Sequence, residues 1–174
     1  MPMGDIITEV KKYHEGWRGG LPETPCGNGS KLSQTVEQRK WIPDLIRKYE
    51  IKTIADIGAG DLNWIKHTDL GDVEYTPYDL VPRHPDVVQF DLLAQVPPQV
   101  DMLMCLWVLN HFPAKHCVHA ITNLLYSRSK YLLVTDRPRW VEDQPQEMLD
   151  LIESPLEVLW LNDKNDSIRL IELC

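Results

Sequence analysis

Long hydrophobic runs are missing from this 174-residue chain: no apolar stretch approaches the ~20 residues needed to span a bilayer. Residues 1–10 also lack the basic-then-apolar pattern of a secretory leader, so a soluble, cytoplasmic protein with no membrane partner is expected. Positive charge is scarce. Eighteen Lys and Arg face 26 Asp and Glu, giving a net charge of −8, and no basic cluster exceeds a pair. The sequence-independent attraction to phosphate backbones is therefore missing, and nucleic acid is not an expected partner. Cysteine is sparse too. Cys26, Cys105, Cys117 and Cys174 fall at no paired spacing, so reduced thiols rather than disulfides are expected. His116 and His119 stand three apart without a third and fourth ligand, so no metal is expected.

What is present is a turn around which the chain is organised. In residues 53–64 a short apolar run ends in Gly58 and Gly60, then becomes amphipathic, which reads as strand, tight turn and helix over about 61–68. Glycine lets the backbone turn sharply and lets a ligand approach, with the amides opening the helix facing the same space. The spacing excludes two ligand classes. A dinucleotide fingerprint wants a small third residue where this chain has Asn63, and a phosphate loop wants Gly-Lys-Ser/Thr where it has Gly60, Asp61 and Leu62. Asp56 and Asp61 would repel phosphates but suit a nucleoside carrying a sulfonium or ammonium. Residues 73–78 form the next strand, ending in Asp79, 23 residues after Asp56, where an acid can accept both hydroxyls of a ribose.

The pattern Asp56-x-Gly58-x-Gly60-Asp61-x-x-Trp64 resembles the first motif of class I S-adenosylmethionine (SAM) methyltransferases. It is most similar to a bacterial group with Asp-x-x-Cys-Gly-Asp-x-x-Trp and an upstream Gly-Ser-Gly-Ser…Gln-Thr. Here Ala59 replaces the cysteine, and the upstream stretch is Gly27-Asn28-Gly29-Ser30-Lys31-Leu32-Ser33-Gln34-Thr35. The resemblance covers roughly residues 27–136 and implies SAM as cofactor. It implies that residues 27–35 form a lid over the methionine end, with Ser30 and Gln34 bonding its carboxylate. Asp56, Gly58, Ala59, Gly60 and Asp61 would cradle the cofactor, and Trp64 would be a secondary contact. Asp79 and Leu80 would hold the ribose end, Asp91 and Leu92 the adenine, and Cys105 and Leu106 the wall beyond the fourth strand.

Read in order, the chain begins with apolar residues at helical spacing over 4–17, then a Gly/Pro-rich loop in which Ser30 or Ser33 can cap the next helix. That helix carries Trp41, Ile42, Leu45, Ile46 and Tyr49 inward, with Pro43 forcing a kink or restart. The third strand, 87–90, follows Asp79 after only seven residues that include two prolines, leaving no room for a crossover helix. The sheet face exposed by this shortened connection could be covered by the amino-terminal helix or by a second subunit in a homodimer. The fourth strand, 101–107, leads into Leu109-Asn110-His111-Phe112, with Pro113 at a first helical position and a helix over 115–127. Neither the Asn/Asp-Pro-Pro motif of amino-directed DNA methyltransferases nor a Pro-Cys nucleophile stands there. Where the resembling group has Cys-Arg-Asp-x-Leu-Val-His, this chain reads Cys105-Leu106-Trp107-Val108-Leu109-Asn110-His111. The fifth strand, 130–135, is followed by Asp136, Arg137 and Arg139, and 141–153 should be a short helix or ordered loop. Residues 156–161 and 168–173, joined by a turn-rich linker, predict an antiparallel hairpin.

The expected architecture is one α/β domain over 1–174, with a helical cap at 1–50 and a Rossmann-like methyltransferase sheet of order 3-2-1-4-5-7-6 over 51–174. His111 is the first candidate general base and Asp136 the second, and Trp107, Arg137 and Arg139 are candidate contacts for a small-molecule acceptor. Three functions fit this reading. The first is an O- or N-methyltransferase acting on a small-molecule or carbohydrate-type acceptor. The second is a SAM-binding module without transferase activity, and the third a nucleotide-binding oxidoreductase, which Asn63 and the terminal hairpin weaken.

Overall fold

The computed structural model describes residues 22–112, 114–136, 157–161 and 167–173, together with Thr8. Seven strands form one sheet: β1 (Thr53–Ile57), β2 (Glu74–Asp79), β3 (Val88–Gln89), β4 (Met102–Cys105), β5 (Tyr131–Asp136), β6 (Glu157–Leu161) and β7 (Ser167–Glu172). Their spatial order is β3-β2-β1-β4-β5-β7-β6, as the sequence predicts. Neighbours from β3 to β5 are parallel, whereas β7 runs antiparallel to both β5 and β6.

Side-chain alternation explains why the central strands read as unbroken apolar runs. Leu103 and Cys105 of β4 join a core on one face, while Met102 and Met104 join a core on the other. Each such residue contributes roughly 1.5–3 kcal/mol by leaving water, so both faces must be covered. On the first face lies α2 (Ala114–Tyr126), which presents Cys117, Ala120, Ile121 and Leu124. On the second lies α1 (Gln38–Lys48), which presents Ile42 and Leu45. Pro43 neither restarts nor ends α1, which runs through it as one helix with Pro43 itself buried. Ser30 and Ser33 do not cap α1. Its first amides reach the carbonyls of Thr35 and Glu37 instead, and the Thr35 hydroxyl donates back to the Lys31 carbonyl at 3.0 Å.

The helix expected over 61–68 is absent and is replaced by one 3-10 turn at Ile65–His67. The cause is local. Leu62 sits at φ +60°, and the Asp61 side chain accepts the Asn63 amide at 3.2 Å, so the short polar side chain competes with the helical hydrogen bond. No helix fills the β2–β3 connection either, and β3 is only two residues long rather than four. Loop residues Leu62, Ile65 and Val87 take the place of helical cover on that half of the sheet.

Apart from Thr8, the predicted helix over 4–17 lies outside the described residues, as do the segment 141–153 and residues 162–166 of the hairpin turn. Among the described residues, no helix is long and apolar enough to cross a membrane.

Candidate functional site

The strand order reverses direction between β1 and β4, and at the carboxyl ends of β1, β2 and β4 lies a cavity of about 650 Å³. This is where an open α/β sheet places its ligand. Loop 25–30, the head of α1, the β2–β3 connection and residues 106–112 complete the wall.

The glycine turn is tied to the end of β2. The Tyr78 carbonyl accepts the amides of Gly58 at 2.7 Å and Ala59 at 3.0 Å. Asp79 accepts the Gly60 amide at 2.9 Å on one oxygen and the Val81 amide at 2.9 Å on the other. Three successive turn amides are thus committed to β2, whereas the sequence predicts amides that open a helix and face the ligand space. Gly58 and Gly60 adopt φ +86° and +64°, which only glycine adopts readily. A Cβ on Gly58 would come within 2.2 Å of Val108 Cγ2, and one on Gly60 within 2.9 Å of Cys26 Sγ.

A second set of bonds staples the loop ahead of α1 onto this turn. The buried Thr24 hydroxyl donates to Asp61 at 2.8 Å and accepts the Cys26 amide at 3.0 Å. Asn63 donates to both Glu23 and the Ser30 carbonyl at 2.9 Å, and Glu23 also accepts the Leu32 amide at 2.7 Å. Asn63, which the sequence marked only as the wrong residue for a dinucleotide, thus joins Thr24 in tying this loop to the turn.

The cavity is acidic, with Glu37, Asp56, Asp79 and Asp91 on its wall; among the described lining residues Arg83 is the single Lys or Arg. Asp56 is 5% exposed and accepts the Tyr75 hydroxyl at 2.6 Å. Burial pushes its carboxyl up to about 7, with the Tyr75 hydrogen bond opposing and the charge of Asp79 adding to the rise. Burial likewise pushes the Cys26 thiol up to about 12, with Asp61 and Asp79 adding, so it stays a neutral packing group against Gly60.

Of the residues singled out from sequence, Ser30, Gln34, Asp56, Gly58, Ala59, Gly60, Trp64, Asp79, Leu80, Asp91, Leu92, Leu106, Trp107 and His111 all line this cavity. Two do not. Cys105 faces the α2 core at 1% exposure, because strand alternation turns it away from the cavity. Asp61 is turned onto Thr24 and the Asn63 amide. Trp64 reaches the cavity from the residue before the 3-10 turn, not from inside a helix. Trp107 holds φ +61°, costly for a bulky residue, with its amide donating to the buried Thr135 hydroxyl at 3.0 Å. His111 ends a 3-10 turn at Leu109–His111 and is exposed. Asp136 ends β5 opposite Ser167, and its side chain, like Arg137 and Arg139, lies outside what is described. His116 is buried and His119 exposed, and among the described residues no cluster of three metal-ligating side chains forms.

Sequence reasoning missed Cys26, Arg83, Val108, Asn110 and Phe112 on the wall.

No family model and no curated protein matches the chain in sequence. Solved structures do match in fold. Magnesium protoporphyrin IX methyltransferase (ChlM) from Synechocystis PCC 6803, with bound SAM, superposes at TM-score 0.60 with 14% identity over 97% of each chain. The N-methyltransferase NodS from Bradyrhizobium japonicum WM9, in complex with S-adenosyl-L-homocysteine, superposes at 0.61 with 12% identity over 95% of this chain and 97% of that one. The 16S rRNA methyltransferase RmtF, also with S-adenosyl-L-homocysteine, superposes at 0.53 with 15% identity over 97% and 75%. The fold is that of Rossmann-like methyltransferases, with a mostly parallel sheet and an antiparallel terminal hairpin.

Proposed function

We propose that the chain binds S-adenosyl-L-methionine in this cavity and transfers its methyl group to an O or N atom of a small-molecule or carbohydrate-type acceptor. The observation that carries the reading is Asp79. An acid ends β2, is bonded to the glycine turn of β1 at 2.9 Å, and stands at the switch point of a methyltransferase-type sheet. The surrounding residues fit the ligand. The four acidic side chains on the wall suit a sulfonium and an ammonium, an acid at the end of β2 is the kind of acceptor that ribose hydroxyls need, and the volume falls in the ~300–1,000 Å³ range of small-molecule sites.

When bound, SAM supplies an electrophilic methyl group on sulfur. The chain's own residues supply alignment and exclude water. Asp79 and Leu80 hold the ribose, Asp91 and Leu92 bracket the adenine, and Ser30 and Gln34 of the lid reach the carboxylate. Gly58, Ala59 and Gly60 let the ligand lie against the main chain. Trp107 frames the acceptor, together with Arg137 and Arg139, and His111 is the first candidate to take a proton from it, Asp136 the second. RmtF, by its name, acts on rRNA, but the net charge of −8 here favours a small acceptor over a polyanion. A SAM-binding module without transferase activity is the second reading. It is favoured by Leu106 and Trp107, which put apolar surface where the resembling group carries an Arg-Asp pair.

The test is a thermal-shift titration with SAM, S-adenosylhomocysteine (SAH) and NAD. A ligand at 100 times its Kd stabilises by about 2.7 kcal/mol, a shift of a few degrees for a chain this size. Shifts with SAM and SAH but not NAD are expected, and their absence would overturn the reading. Methyl transfer from labelled SAM across a small-molecule panel, lost in His111→Ala with SAM binding kept, separates the enzyme from the binding module.

A further inference from the structure

The inference rests on the reading just given and concerns how the cavity tells its donor from its product. These differ chiefly by one fixed positive charge, carried by the sulfonium and absent from the thioether. Asp56 lies on the cavity wall yet is only 5% exposed, and among the described residues no Lys, Arg or His pairs with it. The groups around it are uncharged or negative. From β2 come the Tyr75 hydroxyl at 2.6 Å and the Asp79 carboxylate, and from β4 the buried Cys105 thiol. Elsewhere on the wall stand Glu37 beside α1 and Asp91 beyond β3, with Arg83 as the single Lys or Arg among the described lining residues. A carboxylate in such a place lacks both solvent and a counter-ion, and Asp79 opposes a second negative charge.

We propose that Asp56 is the charge selector of this cavity: under mildly acidic conditions it carries its proton in the ligand-free protein and releases it to solvent when the ligand's sulfonium enters, so that the sulfonium donor is favoured over its thioether product. The carboxyl O–H bond breaks, the proton goes to buffer, and the carboxylate left behind keeps the Tyr75 hydrogen bond. The ion pair so formed exists with the donor and not with the product, so methyl transfer itself weakens retention of the spent cofactor. Burial holds the carboxyl near neutrality, which brings the effect within reach of ordinary buffers.

The experiment is isothermal titration of the full chain with SAM and with SAH between about pH 5.5 and 8, in two buffers of different ionisation enthalpy. Below about pH 7 the SAM affinity should climb by up to about tenfold per pH unit, with net proton release, while the SAH affinity stays comparatively flat. Asp56→Asn keeps an acceptor for Tyr75 but cannot ionise, and should collapse the SAM-to-SAH preference and its pH dependence. Parallel SAM and SAH profiles without proton release in the unaltered chain would overturn the proposal while leaving SAM binding intact, whether or not the variant folds. Failure of both ligands to bind at any pH would overturn the underlying reading as well.

Discussion

Gly58→Ala should be among the most damaging single-methyl additions available in this chain, and the structure says how the cost divides. The backbone sits at φ +86°, and moving an L-residue into left-handed space costs roughly 1–2 kcal/mol. The new Cβ would also lie 2.2 Å from Val108 Cγ2, an overlap in the class of overpacking that costs about 1–3 kcal/mol. The expected total is ~2–5 kcal/mol. The next atom, Val108 Cβ, is 3.5 Å away, in ordinary contact, so Val108→Ala removes the collision without removing the backbone strain. A double-mutant cycle by urea denaturation should therefore show favourable coupling of about 1–3 kcal/mol between the two substitutions, with a residue of about 1–2 kcal/mol assigned to φ. A loss below about 0.5 kcal/mol for Gly58→Ala, or additive single effects, would refute the packing described at this turn.

Three further outcomes follow from the same geometry. Asp56 has a folded value of about 7 against an ordinary 3.8, so its contribution to stability is fully present below about pH 4 and lost as pH rises through about 7; that amounts to at most about 4 kcal/mol. Asp56→Asn should accordingly gain on the parent as pH rises, and most of that relative gain at pH 8 should be gone by pH 5, measured by urea melts at the two pH values; a difference independent of pH would contradict a buried, proton-bearing carboxyl. Thr24→Val keeps the shape but leaves Asp61 and the Cys26 amide without their shared hydroxyl, and should cost about 1–3 kcal/mol in the same assay. Asp79→Asn should abolish the thermal shift given by SAM and SAH, and a retained shift would remove Asp79 from the ligand's contacts.

The sheet was readable because its signal is redundant: β1, β4 and β5 are apolar on both faces, and the turn-rich stretch between β6 and β7 dictates an antiparallel return. Asp79 was readable because its place depends on strand ends, which the pattern fixes. Cys105 and Leu106 were not separable, since β4 is apolar on both faces and such a run does not say which of two neighbours faces the cavity. The missing helix after β1 was hidden for another reason. Leu62, Ile65 and Lys66 carry helical spacing, but Asp61 bonds the Asn63 amide and Leu62 takes a left-handed backbone, local choices that outweigh periodicity over so short a stretch. Arg83 and Asn110 reach the wall through loops whose course no periodic pattern encodes.

The absence of crossover helices on the β1–β2 and β2–β3 connections bears on how the molecule breathes. The half containing β4, β5 and β7 is clamped by α2 and long strand pairings, whereas β2 and β3 are covered by loops and joined through two paired residues. Amide protons should therefore exchange more slowly in β4 and β5 than in β2 and β3 beside the cavity, so that opening of that edge exposes the cavity while β4 and β5 stay folded. A ligand bridging Asp79 and Asp91 would close that edge, and its affinity would include the cost of quieting it.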